Sequence, residues 1–393
     1  MKLVAPRLPS IPVLVALTAV MPLGMHMLLP GLSAIARDFA VSVPTVQWSV
    51  TLFMVAVALA QLVYGPVSDR FGRRGPLLVG LVIFLLGSLA CAAATSSSQL
   101  LFGRVIQGIG ACSGMVLGRA MVRDVYPANR AAVTLGYVST ALVIFSALAP
   151  MLGGMLLTWF SWRAPFLFSA AGCVVLLAIA WPLEETHQSR TAMSSVSSLA
   201  RDFAILLRLP GFMVPALATA LSGIGFFGFI ANAPVMAEEI FAITPDRYGF
   251  YFVLLPLGFC TGSFLSTRLT PRLGLDRIAL WTNIASAVVG FVLLALALLS
   301  LLTPVLLFAL VGLTNLTSSI AMPAMMVRSM GADSRMIGAA SGLIGFLHMA
   351  FGAAGTQLVA HAYDGTVMPA VLLIAAGFCL GAFLLIAERV LRL

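Results

Sequence analysis

Charged side chains are scarce in this 393-residue sequence, and their scarcity argues against a soluble globular fold. Only 9% of the residues are Asp, Glu, Lys or Arg, whereas 61% are hydrophobic, and the mean hydropathy is +1.08. The net charge is +9, but the basic residues lie in short turns between apolar runs and form no single patch. The charge therefore does not indicate a nucleic-acid partner. The composition indicates a chain that crosses a lipid bilayer many times.

The sequence also lacks the patterns of a metal site, a disulfide framework or a nucleotide-driven machine. Its five cysteines all lie within apolar runs without metal-ligand spacing, as small buried hydrophobic residues do. No G-x-x-x-x-G-K-[ST] loop occurs, and no polar segment is long enough to hold an ATP-binding domain. No cluster of His, Asp and Glu and no Ser–Lys dyad shares one depth of the predicted spans. We therefore expect no enzyme activity, no metal and no cofactor.

Long apolar runs account for most of the chain. About twelve of them have the roughly 20 residues that a helix needs to cross the hydrocarbon of a bilayer. The first run is longer than the apolar core of a cleavable signal peptide, so it is interpreted as a membrane helix. The predicted spans are 11–32, 46–65, 75–94, 98–122, 132–156, 161–183, 211–237, 247–269, 275–297, 303–327, 336–361 and 367–388.

The basic residues predict the orientation of these spans. Lys and Arg collect in the cytoplasmic loops of membrane proteins. When the N-terminus is placed inside, only Arg37, Arg163 and Arg247 fall in outer loops. Both termini are therefore predicted to be cytoplasmic. The polar, Ser-rich stretch 185–210 is predicted to be a cytoplasmic linker that separates residues 1–184 from residues 211–393.

A short basic stretch, Gly-Pro-Val-Ser-Asp-Arg-Phe-Gly-Arg-Arg-Gly-Pro, occupies residues 65–76 between the second and third spans. Its glycines allow a tight turn, and we expect Pro66 and Pro76 to break the flanking helices. The pattern G-x-x-S-D-R-x-G-R-R resembles motif A of the major facilitator superfamily, which joins helices two and three in that family. The matching residues are Gly65, Asp69, Arg70, Gly72, Arg73 and Arg74.

A degraded copy of this stretch follows the eighth predicted span. Arg272 and Gly274 stand where Arg70 and Gly72 stand in the first half, while Pro271 replaces the acid. Two parallel halves related about the membrane normal would leave such a repeat. The resemblance accordingly implies an all-α membrane protein with twelve transmembrane helices in two six-helix bundles, both termini being cytoplasmic.

Three further stretches carry the resemblance. Residues 104–110, Arg-Val-Ile-Gln-Gly-Ile-Gly, resemble motif B, and residues 149–154, Ala-Pro-Met-Leu-Gly-Gly, resemble antiporter motif C with Ala149 in place of the usual Gly. The third combines residues 21–30, the glutamines of span two and the stretch 123–127. These together are similar to the drug-efflux branch that contains the bicyclomycin and chloramphenicol exporters (the Bcr/CflA group).

The resemblance assigns roles to several residues. A charge at membrane depth costs roughly 2.5–3.5 kcal/mol on insertion scales, so Arg104 is expected to line a cavity, near Gln107, and not to reach the interface. Pro150, Gly153 and Gly154 are expected to form a hinge and seal between the halves, the alternative being a plain kink with tight packing. Asp69 is expected to latch the inner gate with Arg70 or Arg123 and the backbone near 337–338.

His26 stands where the efflux branch usually has an acid. It shares a predicted depth with Arg104, and burial and the like charge of Arg104 both favour a neutral imidazole at neutral pH. We expect His26 to load a proton only from an acidic exterior, the alternative being a structural histidine or a lost coupling site. Other aromatic and polar residues are candidates for the cavity wall, with helix packing as the alternative for each. They are Gln47, Phe53, Gln61, Tyr137, Phe226, Phe229, Asn232, Tyr251, Asn315 and His348.

The implied function is secondary active efflux of small amphipathic drugs by proton antiport with alternating access. None of the thirteen acids lies in the middle of a predicted span, so a desolvated cation would find no counter-charge. We expect neutral or weakly anionic substrates, phenicol- or sulfonamide-like, with Arg104 as polar anchor. An exporter of a metabolite such as an amino acid fits the same motifs, and a non-transporting membrane sensor is a remote alternative. The expected partners are protons, the small-molecule substrate and the bilayer of the bacterial inner membrane, around a monomer.

Overall fold

A computed structural model of the protein describes residues 9–187, 196–332 and 336–391. Within these residues the regular structure is entirely helical. The helices are α1 (Ile11–His26), α2 (Leu32–Asp38), α3 (Val43–Phe71), α4 (Arg74–Ala92), α5 (Ser97–Val125), α6 (Ala128–Trp159), α7 (Ala164–Ala180), α8 (Val196–Leu206), α9 (Pro210–Glu239), α10 (Pro245–Phe252), α11 (Leu254–Leu273), α12 (Leu275–Leu298), α13 (Pro304–Gly331), α14 (Ile337–Ala362) and α15 (Met368–Leu391), with a 3₁₀ turn at Leu29–Gly31.

Most of these helices are long and apolar enough to cross a membrane. Eleven segments meet that description when α1 with α2, and α10 with α11, are each counted as one. The one remaining predicted span, 161–183, contains α7, a shorter apolar helix of 17 residues. The predicted spans agree with the observed helices to within a few residues, apart from the differences described next. The described residues thus form an all-helical fold of eleven to twelve apolar helices.

The first predicted span, 11–32, is interrupted, which the apolar run alone did not predict. α1 ends at His26, and the chain continues through a 3₁₀ turn into α2. Pro30 has no N–H to donate to the carbonyl four residues earlier, which is that of His26. The eighth span is interrupted in the same way at Val253, because Pro256 follows Phe252 by four residues.

The basic turn is shorter than predicted. α3 passes through Gly65 and Pro66, and only Gly72 (φ 89°) and Arg73 separate it from α4. The expectation that Pro66 and Pro76 break the helices is therefore wrong. A proline is tolerated inside a membrane helix when neighbouring groups satisfy the freed carbonyl, and Pro76 lies in the first turn of α4, where the N–H lacks an intrahelical partner in any case.

The helices pack as two groups. The first group consists of α1–α7, whose members contact one another, and the second consists of α9–α15. The predicted linker contains α8, and residues 188–195 of it lie outside the described residues. Residues 1–8 and 392–393 also lie outside them, so the boundaries of the halves and the cytoplasmic termini stay predictions.

The turns of the two groups repeat one backbone conformation. Gly72, between α3 and α4, has φ 89° and ψ 172°, and Gly274, between α11 and α12, has φ 79° and ψ 162°. A positive φ favours glycine, because it has no Cβ to clash with the backbone. We call the end of the molecule that carries these two turns the Arg73 end, and the opposite end the Glu238 end.

Polar contacts between the groups are concentrated toward the Glu238 end. α3 packs on α14, and α6 packs on α10. In the part of the chain that the structure describes, every side-chain hydrogen bond and ion pair between the groups involves Arg37, Gln47 or Thr51, which lie in the half of the molecule nearer that end. These polar contacts therefore join the two groups toward the Glu238 end.

Two glycines of α6 allow this junction. A Cβ on Gly153 would collide with the carbonyl oxygen of Met27, and a Cβ on Gly154 would collide with the carbonyl oxygen of Pro245 at the start of α10. Small residues let helices approach until their backbones touch. Gly153 thus packs α6 on its own group, while Gly154 packs it on the other group.

We expect Gly154→Ala to separate the groups at the Glu238 end, because its methyl group cannot fit against Pro245. The measurement is the rate at which an impermeant maleimide labels Ala231→Cys, a buried position of α9, with the native cysteines replaced. The labelling rate should rise at least about threefold, the effect of roughly 0.7 kcal/mol on a two-state equilibrium. Gly136→Ala on the same helix, where a Cβ meets no atom within 4 Å, is the control and should leave the rate unchanged.

Candidate functional site

Arg104 of α5 is fully buried inside the first group. Its Nη1 donates to the carbonyl of Gly24 at 2.7 Å and to the Oε1 of Gln107, and its Nε donates to the carbonyl of Ser49 at 3.0 Å. The guanidinium also lies 4.2 Å from the centre of the Phe53 ring. A cation over an aromatic face is attracted by the ring quadrupole. The structure therefore differs from the expectation that Arg104 lines a cavity: in this conformation it ties α1, α3 and α5 together.

Uncharged polar side chains join the groups toward the Glu238 end. Gln47 Nε2 of α3 donates to Asn232 Oδ1 of α9 at 2.6 Å. The hydroxyls of Thr51 and Thr356 lie 2.6 Å apart, and Gln357 Nε2 donates to Thr51 Oγ1 at 2.8 Å. The Oε1 atoms of both glutamines are buried without a hydrogen-bond partner. The predicted pair Gln47 and Asn232 thus does meet, across the junction between the groups.

His26 lies at the same junction. The residue is 8% exposed, and neither ring nitrogen has a hydrogen-bond partner among the described residues. The nearest described aromatic ring is that of Phe252, whose centroid is 6.1 Å away in the second group. His26 and Phe252 are also the residues at which the two proline-associated helix breaks begin. An unpaired buried polar group is costly by about 1–3 kcal/mol, so this position favours a state in which the ring becomes hydrated.

His348 and Asn315 line a cavity that lies wholly within the second group. His348 Nδ1 is 3.1 Å from the carbonyl oxygen of Thr219, and Asn315 Nδ2 donates to the carbonyl of Leu255 at 2.9 Å. Phe226 lines the same cavity. The structure therefore brings together three of the predicted cavity residues here, at a distance from the junction that holds Gln47 and Asn232.

The remaining predicted cavity residues are dispersed. Gln61 lies against Gly345 of α14, with no space for a Cβ between them, so it belongs to the α3–α14 contact. Phe229 and Tyr251 both pack against the ring of Phe308 within the second group. Tyr137 is 58% exposed on the first group, contrary to the expectation that it lines a cavity.

Arg73 organises the basic turn. Its Nη1 donates to the hydroxyl of Ser68 at 2.6 Å and to Asp69, and its Nε donates to Asp124 at 2.9 Å. Asp69 therefore pairs with Arg73, instead of with Arg70 or Arg123 as expected. Arg70 lies over the ring of Phe71, with 5.3 Å between its Cζ and the ring centre. The charge-assisted hydrogen bonds of Arg73 to Asp69 and Asp124 are stronger than hydrogen bonds between neutral groups.

Glu185, just beyond α7, closes the same cluster. Its carboxylate accepts the backbone N–H of Arg73 at 2.7 Å, that of Arg74 at 3.2 Å and that of His187 at 3.0 Å. Partial burial would raise the pKa of Glu185, but these N–H donors stabilise the ionised form and hold its pKa below the ordinary range. Glu185 thus supplies a negative charge at the N-terminus of α4, where the helix dipole favours it.

The second group carries a similar cluster with the charges exchanged. Arg328, near the end of α13, lies 2.9 Å from Asp276 at the start of α12 and 2.8 Å from Glu388 at the end of α15. In the first group the arginine stands in the turn and the acid ends the fourth span. In the second group Arg328 lies near the end of the corresponding tenth span, and Asp276 follows the Gly274 turn.

Several of these residues were not among the predicted site residues. The sequence signals were present but weak: Thr356 and Gln357 are adjacent polar residues in an apolar run, and Glu185 lies directly after the sixth span. Arg328 and Glu388 lie at span ends, where charged residues are common. Only the packing of the helices shows which of them meet.

Glu185→Gln tests the cluster of Glu185 and Arg73. Because the pKa of Glu185 is lowered in the folded protein, its charge stabilises the fold above its unfolded pKa of about 4.3, and this contribution disappears as the pH falls through the folded pKa. We expect the variant to unfold roughly 2–4 °C lower at pH 7, the shift for about 1 kcal/mol in a domain of 150–250 residues. The difference from the wild type should shrink in thermal unfolding scans below about pH 4. Glu184→Gln, at the exposed neighbouring position, is the control; an equal loss in both variants would contradict the assignment.

Comparisons with known proteins agree with this geometry. A family model described as Major Facilitator Superfamily matches residues 14–356. An MFS-type transporter of Bacillus subtilis, YdgK, is 33% identical over 251 residues, 63% of this chain and 62% of the relative. A bicyclomycin resistance protein homolog of Haemophilus influenzae is 28% identical over 366 residues, 91% of this chain and 90% of the relative.

Two further comparisons bear on family and fold. A chloramphenicol resistance protein of Pseudomonas aeruginosa is 28% identical over 276 residues, 70% of this chain and 65% of the relative, so the chain spans less than two thirds of that protein and of YdgK. A crystal structure of a bacterial homologue of the human lysosomal transporter Spinster is similar in fold, with a TM-score of 0.73 at 16% identity over 96% of this chain and 97% of the other.

The family model covers most of the chain, and the relatives are bacterial transporters or drug-resistance proteins. The eleven long apolar segments accord with a protein that crosses the bacterial inner membrane many times. The resemblance inferred from motifs A, B and C is confirmed: the chain belongs to the Major Facilitator Superfamily.

Proposed function

We propose that the protein is a secondary active efflux transporter that exports small amphipathic drugs by alternating access. The observation that carries this proposal is the one-sided junction: in the described residues, hydrogen bonds and ion pairs between the two groups occur only in the half nearer the Glu238 end. Two groups joined at one end can rock about a site between them. The names of the bicyclomycin and chloramphenicol resistance relatives favour drugs as the cargo.

The proposed topology places the Arg73 end in the cytoplasm. The arginines of the Gly72 turn, with Arg272 and Arg277 beside the Gly274 turn, support this orientation, because basic residues collect on the cytoplasmic side. The two helix groups then correspond to two six-helix bundles with cytoplasmic termini. In this orientation the structure is closed to the exterior.

The proposed substrates are neutral or weakly anionic, phenicol- or sulfonamide-like molecules. The described acids that pair with arginine lie near helix ends or turns, as Asp69, Glu238 and Glu388 do, and provide no counter-charge at mid-membrane depth. A desolvated organic cation would need such a counter-charge. Because the Nε and Nη1 of Arg104 already donate within its own group, the polar contacts to substrate are assigned to uncharged side chains.

His26 is the proposed proton site. It lies in the junction that must open toward the exterior, and both of its ring nitrogens lack partners. Opening would hydrate the ring and let it bind a proton from an acidic exterior. The described ring beside it is that of Phe252, which packs in turn against Tyr248, whose hydroxyl is buried with no hydrogen-bond partner among the described residues.

Asp69 is the proposed latch of the cytoplasmic gate. In this conformation it pairs with Arg73 within its own group. The start of α14 is uncovered, since Gly338 is exposed and a Cβ there would meet no atom within 4 Å. When the Arg73 end closes, a carboxylate at that helix N-terminus would gain roughly 0.3–1 kcal/mol from the dipole.

The function is tested by efflux from cells and from proteoliposomes with and without a proton gradient. Gradient-dependent export of a phenicol such as chloramphenicol is the expected result. A protein that reconstitutes in folded form but moves no phenicol, sulfonamide or amino acid in either direction would be a sensor and not a transporter.

Asp69→Asn should impair export while the protein stays in the membrane. Removing the charge weakens the latch and raises the population that is open to the cytoplasm. Cysteine labelling from the cytoplasmic side should increase by about fivefold if the latch contributes roughly 1 kcal/mol. Arg70→Gln, at a residue that stacks on Phe71 outside the Arg73 cluster, is the control. Wild-type labelling and export in Asp69→Asn would make Asp69 a surface charge only.

His26 variants should change the dependence of export on external pH. His26→Ala should retain substrate binding and lose proton-driven accumulation, whereas His26→Asp should raise the pH at which export still runs. His361→Ala, at an exposed histidine near the end of α14, should export as the wild type does. If His26→Ala exports normally and its export still collapses with the gradient, the proton travels by another route, and His348 becomes the residue to test.

A further inference from the structure

The cavity within the second group is lined without any charge. It lies among α9 and α11–α15, and its 17 lining residues include no Asp, Glu, Lys or Arg. Its volume is about 80 Å³, room for roughly five to eight water-sized groups at about 10–15 Å³ each. The cavity therefore suits one polar portion of a drug-sized molecule.

The hydroxyl groups of the cavity have no free hydrogen to offer. Ser318 donates to the carbonyl of Thr314 at 2.7 Å, and Ser319 donates to that of Leu316 at 2.9 Å. Thr219, Ser222 and Thr314 each donate to a carbonyl three or four residues earlier in the same helix. A carbonyl oxygen can only accept, so each hydroxyl hydrogen is committed and only its oxygen lone pairs remain.

The amide and imidazole groups also leave acceptors open, although each asparagine NH2 keeps a second hydrogen beyond the one it donates here. Asn283 Nδ2 donates to the carbonyl of Ala279, and Asn315 Nδ2 donates to that of Leu255, each at 2.9 Å. His348 Nδ1 donates to the carbonyl of Thr219, so the neutral ring presents Nε2 as an acceptor. The two Oδ1 atoms and Nε2 have no hydrogen-bond partner among the described residues. None of the three is fully buried, so each can accept a hydrogen bond from a ligand.

The cavity is thus an acceptor-rich site with apolar walls, in which the second N–H of Asn283 and of Asn315 is outnumbered by acceptors. Eight polar side chains offer lone pairs, and the rings of Phe226, Phe259 and Phe378 line the rest together with aliphatic residues and methionines. A carboxylate or sulfonamide anion would meet mostly lone pairs and no positive charge, and a cation would find no counter-charge. A neutral molecule that supplies its own O–H or N–H groups fits both restrictions.

We propose that this cavity is the subsite that binds the hydroxyl- and N–H-bearing portion of a neutral substrate, such as a 1,3-diol with an adjacent amide. The proposal rests on the proposed efflux function and narrows its substrate class to neutral hydrogen-bond donors. Ser318 and Thr314, one turn apart on α13, and His348 on α14 determine the specificity. The subsite belongs to the second group alone, so it does not require Arg104 or the junction.

The experiment compares two phenicols that differ at one donor. Thiamphenicol carries two hydroxyls on its propane chain, and florfenicol has fluorine in place of one of them. Their dissociation constants are measured by equilibrium dialysis against the full-length protein in lipid nanodiscs, where no gradient exists. The wild type should bind thiamphenicol about three- to tenfold more tightly, the worth of roughly one hydrogen bond.

The double variant Ser318→Ala/Thr314→Val should bring this ratio to less than about twofold, because it removes acceptors without changing charge. Thr317→Val on the same helix is the matched control, since its hydroxyl lies 2.6 Å from that of Ser286 and does not line the cavity. The control should keep the wild-type ratio. A folded double variant is recognised by its unchanged affinity for florfenicol.

Several results would overturn the proposal. They are equal affinities of the wild type for both phenicols, a ratio unchanged in the double variant, an equal loss of both affinities in variant and control, and no binding of either phenicol up to its solubility. The measurement is independent of transport. A protein that binds the two phenicols with the expected ratio but exports nothing would refute the efflux function and support the subsite. Gradient-driven export without that affinity ratio would support the efflux function and refute the subsite.

Discussion

The buried guanidinium of Arg104 imposes the constraint on which the first group depends. A charge inside the hydrocarbon region must be satisfied by the protein, because lipid offers no hydrogen bonds. Here the partners are backbone carbonyls of α1 and α3, the amide of Gln107 and the face of Phe53. Separation of α1 or α3 from α5 would remove hydrogen bonds from a buried charge, which favours movement of these helices as a unit. A rigid group is what a rocking mechanism requires.

The junction between the groups is built in the opposite way. Its buried part uses neutral amides and hydroxyls, glycine against carbonyl oxygen, and a histidine without partners among the described residues, while the one ion pair there, Arg37–Glu238, is exposed. Each neutral hydrogen bond contributes only about 0.5–1.5 kcal/mol net, and each unpaired buried atom costs about 1–3 kcal/mol. The stabilising and destabilising contributions therefore nearly offset one another, and water entering the junction would satisfy the unpaired atoms. Strong contacts within the groups and weak ones between them favour alternation between two states.

The sequence predicted the helices well because lipid demands long apolar runs, and it predicted the family because Asp69, Gly72 and Arg73 occur at fixed spacing. It did not predict the interruptions at His26 and Val253, since the hydropathy of a run contains no information about which carbonyl a proline frees. The sequence also did not predict the acceptor-rich cavity. Ser, Thr, Asn and His can each donate or accept, and only the three-dimensional partners decide which role remains open.

The positions of arginine and acid are exchanged between the cluster of Arg73 and the cluster of Arg328. This exchange explains why the internal repeat is only partly visible in the sequence. Both groups hold an arginine between an acid near the turn and an acid near a neighbouring helix end, but Arg73 belongs to the turn and Arg328 to a helix terminus. An ion pair is satisfied by either assignment of its charges, so a substitution at one position can be matched by the opposite one at its partner. No such exchange is available at Gly72 and Gly274, because the positive φ at both positions favours glycine on steric grounds. The fold therefore preserves the glycine of the motif and the presence of a pair, while the identity of the charged residues drifts between halves.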